Sequence, residues 1–492
     1  GSGKTITLKV LAEGFASANV PVFLVDVKGD LAGMVNYGNQ ETIQGRVDKL
    51  NIPEFKVRNF KSIFWDIYGE FGHPIRTTVS KMGARLLSRI LDLSDAQEGV
   101  LQIIFKIAED EELEIVDLDD LRSMLNYVGE KRKEYTLHYG NITTQSIGGI
   151  LRNLLAIEDE GGNEFFGHPD FNVKNFIHFN PNTGESYINI LDATKLFLKP
   201  NLYSTFMLWL LTSLYESLPE VGDLDKPKIV FFFDEAHLLF SEMPSSIIKN
   251  LTSIIKLIRS KGIGLYFISQ TPSDIPEEVL AQLGNRIQHT LRSYTVNDEK
   301  IIKACANSFR KNPNLNIEET IKALKTGEAL ISFQDEDGQP TITDKFSILP
   351  PQSQMGTIEI DRRKQIITSS DYYGVYENKI DDESAKEIID RIREEELEEE
   401  YEEEEVEEQP TTQVNNNSNN NAGPALMSNT NVKPKETKVE TKASKRTTTT
   451  KKKTSARSKQ GYVSKKTDRL VNRTVSAVGT RLGNKIFKSL FK

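Results

Sequence analysis

At 492 residues the chain has room for two to four domains of about 150 residues, or for one large domain with appendages. Hydrophobic residues are 38% and charged residues 27%, slightly polar for a protein packed throughout, so part of the chain is expected not to pack. The net charge of −9 divides into +16 over residues 431–492, where 19 Lys and Arg face three acids, and −25 over the rest, so the acidic total excludes no polyanionic partner. Cys305 is the single cysteine, which rules out a disulfide framework. The longest uncharged apolar stretch, Leu202 to Tyr215, is too short to span a bilayer, so no transmembrane segment is expected. No signal peptide is visible, the opening lacks an initiator Met, and the chain reads as an N-terminally truncated cytoplasmic protein.

The chain opens on Gly1-Ser2-Gly3-Lys4-Thr5, the second half of a G-x-x-x-x-G-K-[ST] phosphate loop whose first glycine would lie three residues before Gly1. Glycines let backbone N–H groups wrap a phosphate, Lys4 adds a point charge, Thr5 offers a hydroxyl to Mg²⁺, and the next helix presents its N-terminus from Ile6 onward. Alone, the same residues describe a Gly-rich turn with an exposed lysine. Ile6, Val10, Leu11 and Phe15 form the apolar stripe of that helix. Pro21 to Val27 is a short apolar run that reads as a buried strand, and it leads into Lys28-Gly29-Asp30. Asp26 and Asp30 either support a metal site, lie near a neighbouring subunit, or shape a turn with Gly29.

Residues from about 61 to 164 break the alternation with helical patterns such as Met82, Leu86 and Ile90, and read as a helical insertion. Asn175 to Leu191 looks β-like and Leu202 to Leu218 helical. Lys228 to Phe233 is a second buried run, ending in Asp234-Glu235. A strand buried on both faces has no need of two carboxylates at its tip. A nucleotide hydrolase does, with Asp234 holding Mg²⁺ and Glu235 polarising the attacking water. Ile247, Leu251, Ile254 and Ile258 then give a helix with Ser245 or Ser246 as its cap. Gly264 to Ser269 is a third strand, and Gln270 at its end either senses the terminal phosphate or merely caps the strand. Arg286 to Leu291 and Ala329 to Phe333 complete the strand list. Arg286, Arg292 and Arg259 are each either an arginine finger for a neighbour's nucleotide or a surface ion-pair partner. The six histidines show no metal-ligand spacing, and His237 reads as a strand-end residue. Strand and helix in alternation imply an α/β fold with a mostly parallel central sheet.

Past Leu349 the character changes. Residues 350–393 read as a peripheral segment with a charged helix over Asp381 to Arg393. Glu394 to Glu408 contains twelve Glu, Thr411 to Ala422 is Asn-rich, and 394–468 reads as a disordered acidic, Asn-rich and basic linker. Residues 469–492 space Val471, Val475, Val478, Leu482, Ile486 and Leu490 as a basic amphipathic helix.

Five blocks in order, GSGKT, PVFLVDVKGDLAGM, IVFFFDEAHLLF, the run from Arg259 to Thr295 and TGEALISF, resemble the HerA/FtsK superfamily of P-loop ATPases, and within it the YjgR-like bacterial proteins with a HerA-like helicase C-terminal domain. The resemblance spans residues 1–349. It implies a RecA-like motor that assembles as a homo-hexamer, uses ATP and Mg²⁺ and acts on double-stranded DNA, with a nuclease or other protein partner unknown. Carried over by residue, Gly1, Ser2, Gly3, Lys4, Thr5 and Ile6 hold the nucleotide, and Thr5 and Asp234 the metal. Glu235 is then the catalytic carboxylate, Gln270 the sensor and Arg286 the trans-acting arginine. The missing half-loop implies poor nucleotide binding by the segment as written. The helical insertion and the charged tail lie outside the shared motor core. The rival reading is a nucleotide-switched scaffold tethered to nucleic acid or anionic membrane by the basic tail.

Overall fold

The computed structural model describes residues 3–407 apart from 223, 241–244, 336 and 381–382. Gly1, Ser2, the Asn-rich segment and the whole basic tail with its amphipathic helix lie outside the described residues. In chain order the elements begin α1 (Lys4–Ser17), β1 (Val22–Asp26), α2 (Gln40–Leu50), β2 (Ser62–Asp66) and β3 (His73–Pro74). A helical block follows: α3 (Val79–Ile90), α4 (Asp95–Asp110), α5 (Leu118–Glu130), α6 (Arg132–Tyr139), α7 (Thr144–Asp159) and α8 (Gly162–Phe165). The chain returns through β4 (Ile188–Asp192), α9 (Pro200–Ser217), β5 (Ile229–Phe233), α10 (His237–Phe240), α11 (Ser245–Leu257) and β6 (Ile263–Phe267). It then runs through α12 (Glu277–Leu280), β7 (Arg286–Gln288), α13 (Val296–Asn307), α14 (Ile317–Ala323), β8 (Glu328–Ser332), β9 (Asp344–Ser347), α15 (Ile360–Thr368) and α16 (Ala385–Glu407).

Strands β1 to β6 form one parallel sheet in the order β3-β2-β4-β1-β5-β6. Each five-residue strand from β1 to β5 is buried along its whole length, because helices cover both faces. Alternation persists inside these apolar runs. Phe23, Val25, Phe231 and Phe233 face the core under the helical block, while Val22, Leu24, Val230 and Phe232 face the core under α1. On the first face Asn189 interrupts the apolar layer, but its polar atoms are satisfied: its amide oxygen accepts from Trp65 Nε1 at 2.9 Å and its NH₂ donates to the Phe176 carbonyl at 2.9 Å. α9 is apolar all round and buried along most of its length, with Pro200 starting it at a position where no backbone donor is needed.

Three expectations are corrected here. Residues 62–66 and 73–74, placed inside the helical insertion, are sheet strands, and helices begin only at Val79. Ser-Ile-Phe-Trp-Asp is short, bulky and β-prone, and both its faces are covered. β7 and β8, read as members of the parallel sheet, instead form a separate antiparallel sheet, β7-β8-β9. β9 is exposed along its length and β7 half-buried, so neither meets the two-sided burial that a parallel sheet requires. The acidic run to Glu407, read as disordered, continues α16. Glu is a good helix former, and the helix is anchored at its start by buried Ala385 and Ile389 and along its side by Lys131–Glu396 (2.6 Å) and Arg393–Glu130 (3.0 Å).

The segment past Leu349 is not peripheral either. Buried Glu13 of α1 accepts from the N–H groups of Gln352 (2.8 Å) and Ser353 (3.0 Å) and from the Ser353 hydroxyl (2.5 Å), and buried Lys9 donates to the Gln354 carbonyl. The backbones approach so closely that a Cβ on Gly33 would sit 2.4 Å from Gln354 O, and one on Gly38 2.6 Å from Gln352 O. Farther on, Arg363 pairs with Asp192 and stacks its guanidinium 4.8 Å over Phe64. Residues 350–376 thus form a strap across the sheet. Among the described residues no helix is long and apolar enough to cross a membrane.

Candidate active site

The C-terminal ends of parallel strands gather side chains at one edge of the sheet. β1 and β5 are neighbours there, so the turns after Asp26 and Phe233 face each other, and β6 next to β5 adds Gln270. Asp234 and Glu235 are both buried. Glu235 N–H donates to Asp234 Oδ1 at 3.0 Å, and Glu235 takes a left-handed backbone, φ 49°, which aims it away from the strand axis. Its carboxylate is held from three sides. Lys28 Nζ pairs with Oε1, Gln270 Nε2 lies 3.3 Å from both oxygens, and His237 Nδ1 stands 3.3 Å from Oε2.

These contacts set the charges. Burial works to raise the Glu235 pKa, but the hydrogen bonds from Lys28 and Gln270 prevail and hold it below the usual carboxylate range. Burial also acts on Asp234 and pushes its pKa up. Lys4 is half-buried; desolvation draws its pKa down, while Glu235 and Asp234 oppose that and favour the ammonium. The three residues form one electrostatic unit.

α1 begins at Lys4 directly after Gly3, which sits at φ 97°, and no side chain caps the helix. Its first-turn N–H groups are thus presented for an anion. A left-handed glycine, an uncapped helix start and a flanking lysine suit a triphosphate. Thr5 and Asp234 offer the hard oxygens that Mg²⁺ prefers and would hold it beside a bound triphosphate. The residues present fit both ATP and Mg²⁺.

The sequence candidates divide as follows. Lys4, Asp234, Glu235 and Gln270 come together, and Thr5 and Ile6 occupy the first turn of α1. Gly1 and Ser2 lie outside the described residues. Asp26 takes its turn-forming alternative, accepting from the N–H groups of Gly29 (2.7 Å), Asp30 (3.2 Å) and Leu31 (3.0 Å), with burial raising its pKa to about 7. Arg286 stands apart on β7 and donates to the Ser308 carbonyl at 3.0 Å, though it shares with Lys4 and Gln270 the wall of a cleft of about 590 Å³. Arg259 sits in the turn that opens β6, at the opposite edge of the sheet. Lys28 was missed. Its signal is its place two residues beyond the end of β1, which matters only once β1 and β5 are known to be neighbours.

The profile of the helicase HerA-like C-terminal family matches residues 1–482. The chain belongs to this family. This HerA-like chain is 31% identical over 104 residues to the DNA double-strand break repair helicase HerA of Sulfurisphaera tokodaii, an alignment covering 21% of the chain and 20% of that protein. Among solved structures it is similar to the bacterial conjugative coupling protein TrwBΔN70, unbound (14% identity, 71% of this chain and 82% of that one, TM-score 0.43) and with sulphate (13%, 72% and 86%, 0.45). VirB4 of Thermoanaerobacter pseudethanolicus gives 15% identity over 71% of this chain and 86% of that one, with a TM-score of 0.42. The matched region contains the sheet-edge residues Lys4, Asp234, Glu235 and Gln270.

Proposed function

We propose that the chain is the ATP-hydrolysing core of a cytoplasmic, homo-hexameric motor acting on double-stranded DNA. The observation that carries the chemistry is Glu235, an ionised carboxylate fixed by Lys28 and Gln270 beside Asp234 and within the field of Lys4. In this reading the backbone after Gly3 and Lys4 cradle the phosphates, and Thr5 and Asp234 hold the metal. Mg²⁺, when bound, neutralises charge on the β- and γ-phosphates. Glu235 orients a water for in-line attack and accepts its proton, and Gln270 fixes the angle of the carboxylate.

The DNA part of the reading draws on the HerA relative, which is a DNA repair helicase, and is tested by ATP turnover of the full-length protein with and without duplex DNA. Stimulation of about tenfold or more, surviving deletion of residues 431–492, is the expected result for a motor. Without stimulation, salt-sensitive DNA binding that requires those residues would identify a switched scaffold, since a segment of charge +16 binds polyanions by counterion release whatever the core does.

The ring and the role of Arg286 are tested together by mixing subunits. Arg286→Ala and Lys4→Ala proteins are each expected to be inactive alone, yet an equimolar mixture should recover activity. The reason is that an Arg286→Ala subunit keeps its own Lys4 and receives Arg286 from a Lys4→Ala neighbour. No recovery in mass-verified mixed oligomers would remove Arg286 as a trans-acting residue.

A further inference from the structure

The first turn of α1 is tied to a distant part of the chain. Thr7 Oγ1 lies 2.9 Å from Nε2 of His289, 282 positions away, and His289 Nδ1 lies 3.1 Å from the Glu328 carbonyl. A carbonyl oxygen only accepts, so Nδ1 carries the hydrogen, Nε2 presents its lone pair and the Thr7 hydroxyl donates to it. Both ring nitrogens of this buried histidine are therefore used in the neutral form. Burial, helped by nearby Lys4, keeps its pKa low and agrees with that tautomer.

The same ring lies against the other end of the turn. A Cβ placed on Gly3 would be 3.7 Å from His289 Cε1 and 3.7 Å from the Gly327 backbone nitrogen. Lys4 and Thr5 fall between Gly3 and Thr7, so the imidazole spans the turn that carries both. His289 itself directly follows β7, and its acceptor Glu328 opens β8. The ends of β8 and β9 are held by Arg46 of α2, which donates to the carbonyls of Gly327 and Ile348, each at 2.7 Å.

We propose that His289 is a positioning residue for ATP hydrolysis, fixing the first turn of α1, and with it Lys4 and Thr5, onto the β7-β8-β9 sheet. The inference rests on the ATPase reading of the loop and extends it to a residue that meets α1 at Thr7.

The test uses the full-length protein and compares Thr7→Val, His289→Ala, His289→Gln and His289→Asn by steady-state ATP hydrolysis and by thermal melting. Thr7→Val keeps shape and removes only the donor, so it is expected to lower kcat/KM about tenfold with its melting temperature little changed. His289→Ala should lose at least as much, and the Thr7→Val/His289→Ala double variant should lose no more than His289→Ala alone. Glutamine can place an acceptor near the Nε2 position, whereas the shorter asparagine reaches only toward Glu328. His289→Gln is therefore expected to recover to within about threefold of the parent and His289→Asn to remain impaired. A parent that hydrolyses ATP and a Thr7→Val variant that matches it within about twofold would overturn the positioning role and leave the ATPase reading standing. A parent with no ATP turnover would overturn both.

Discussion

Replacing Glu235 by glutamine is expected to leave ATP binding intact and to cut turnover by about a thousandfold, the range in which general-base catalysis operates. The structure gives the reason for both halves. Glutamine matches the volume of the buried glutamate and can still accept from Gln270, so the strand end keeps its shape. It cannot take a proton from water. Titration with a fluorescent ATP analogue and a phosphate-release assay separate the two effects, and turnover within about threefold of the parent would exclude Glu235 as the base. Lys28 should register the same change, because it loses the anion it pairs with.

Lys4→Ala is expected to raise the Kd for ATP by about a hundredfold and to bring turnover to background. Lys4 lies close enough to Asp234 and Glu235 for both to act on its charge, so its removal takes a cation from a buried acidic site just where a polyanion must enter. The side chain is only half-buried and burial disfavours its charge, so the variant should melt within a few degrees of the parent. Loss of binding accompanied by a large drop in melting temperature would instead assign Lys4 a role in the fold.

The legible part of this protein is the part in which chemistry and periodicity coincide. GSGKT and the apolar run ending in Asp234-Glu235 are readable because a strand buried on both faces is continuous in sequence and functional residues stand at its end, and the run before Gln270 is readable although β6 is half-buried. The packed face of α1 is not: its buried residues are Thr7, Leu8, Lys9, Ala12, Glu13 and Ala16, because the strap covers Lys9 and Glu13, while the expected stripe of Ile6, Val10, Leu11 and Phe15 is half-buried. Neighbour relations were not readable. Nothing local says that β1 lies beside β5, so Lys28 carries no signal of its own, while Asp26 carries one and caps a turn. Arg286 to Gln288 has the composition of a buried strand, yet its placement depends on what covers it, and a distant antiparallel partner, β8, takes the place of the parallel sheet. His289 carries no signal, because a histidine just past a strand is recognised as a tether only when the residue 282 positions away is seen beside it.

The strap over α1 also bears on how the molecule is made. Glu13 and Lys9 find their partners only at residues 352–354, about 340 positions later. At roughly 5–20 residues per second on the ribosome, those two buried charges wait some tens of seconds for the backbone groups that satisfy them. The helix bearing the phosphate loop thus leaves the exit tunnel well before the strap that closes over it, and in that interval the nascent chain displays an unfinished binding site to whatever chaperone attends it.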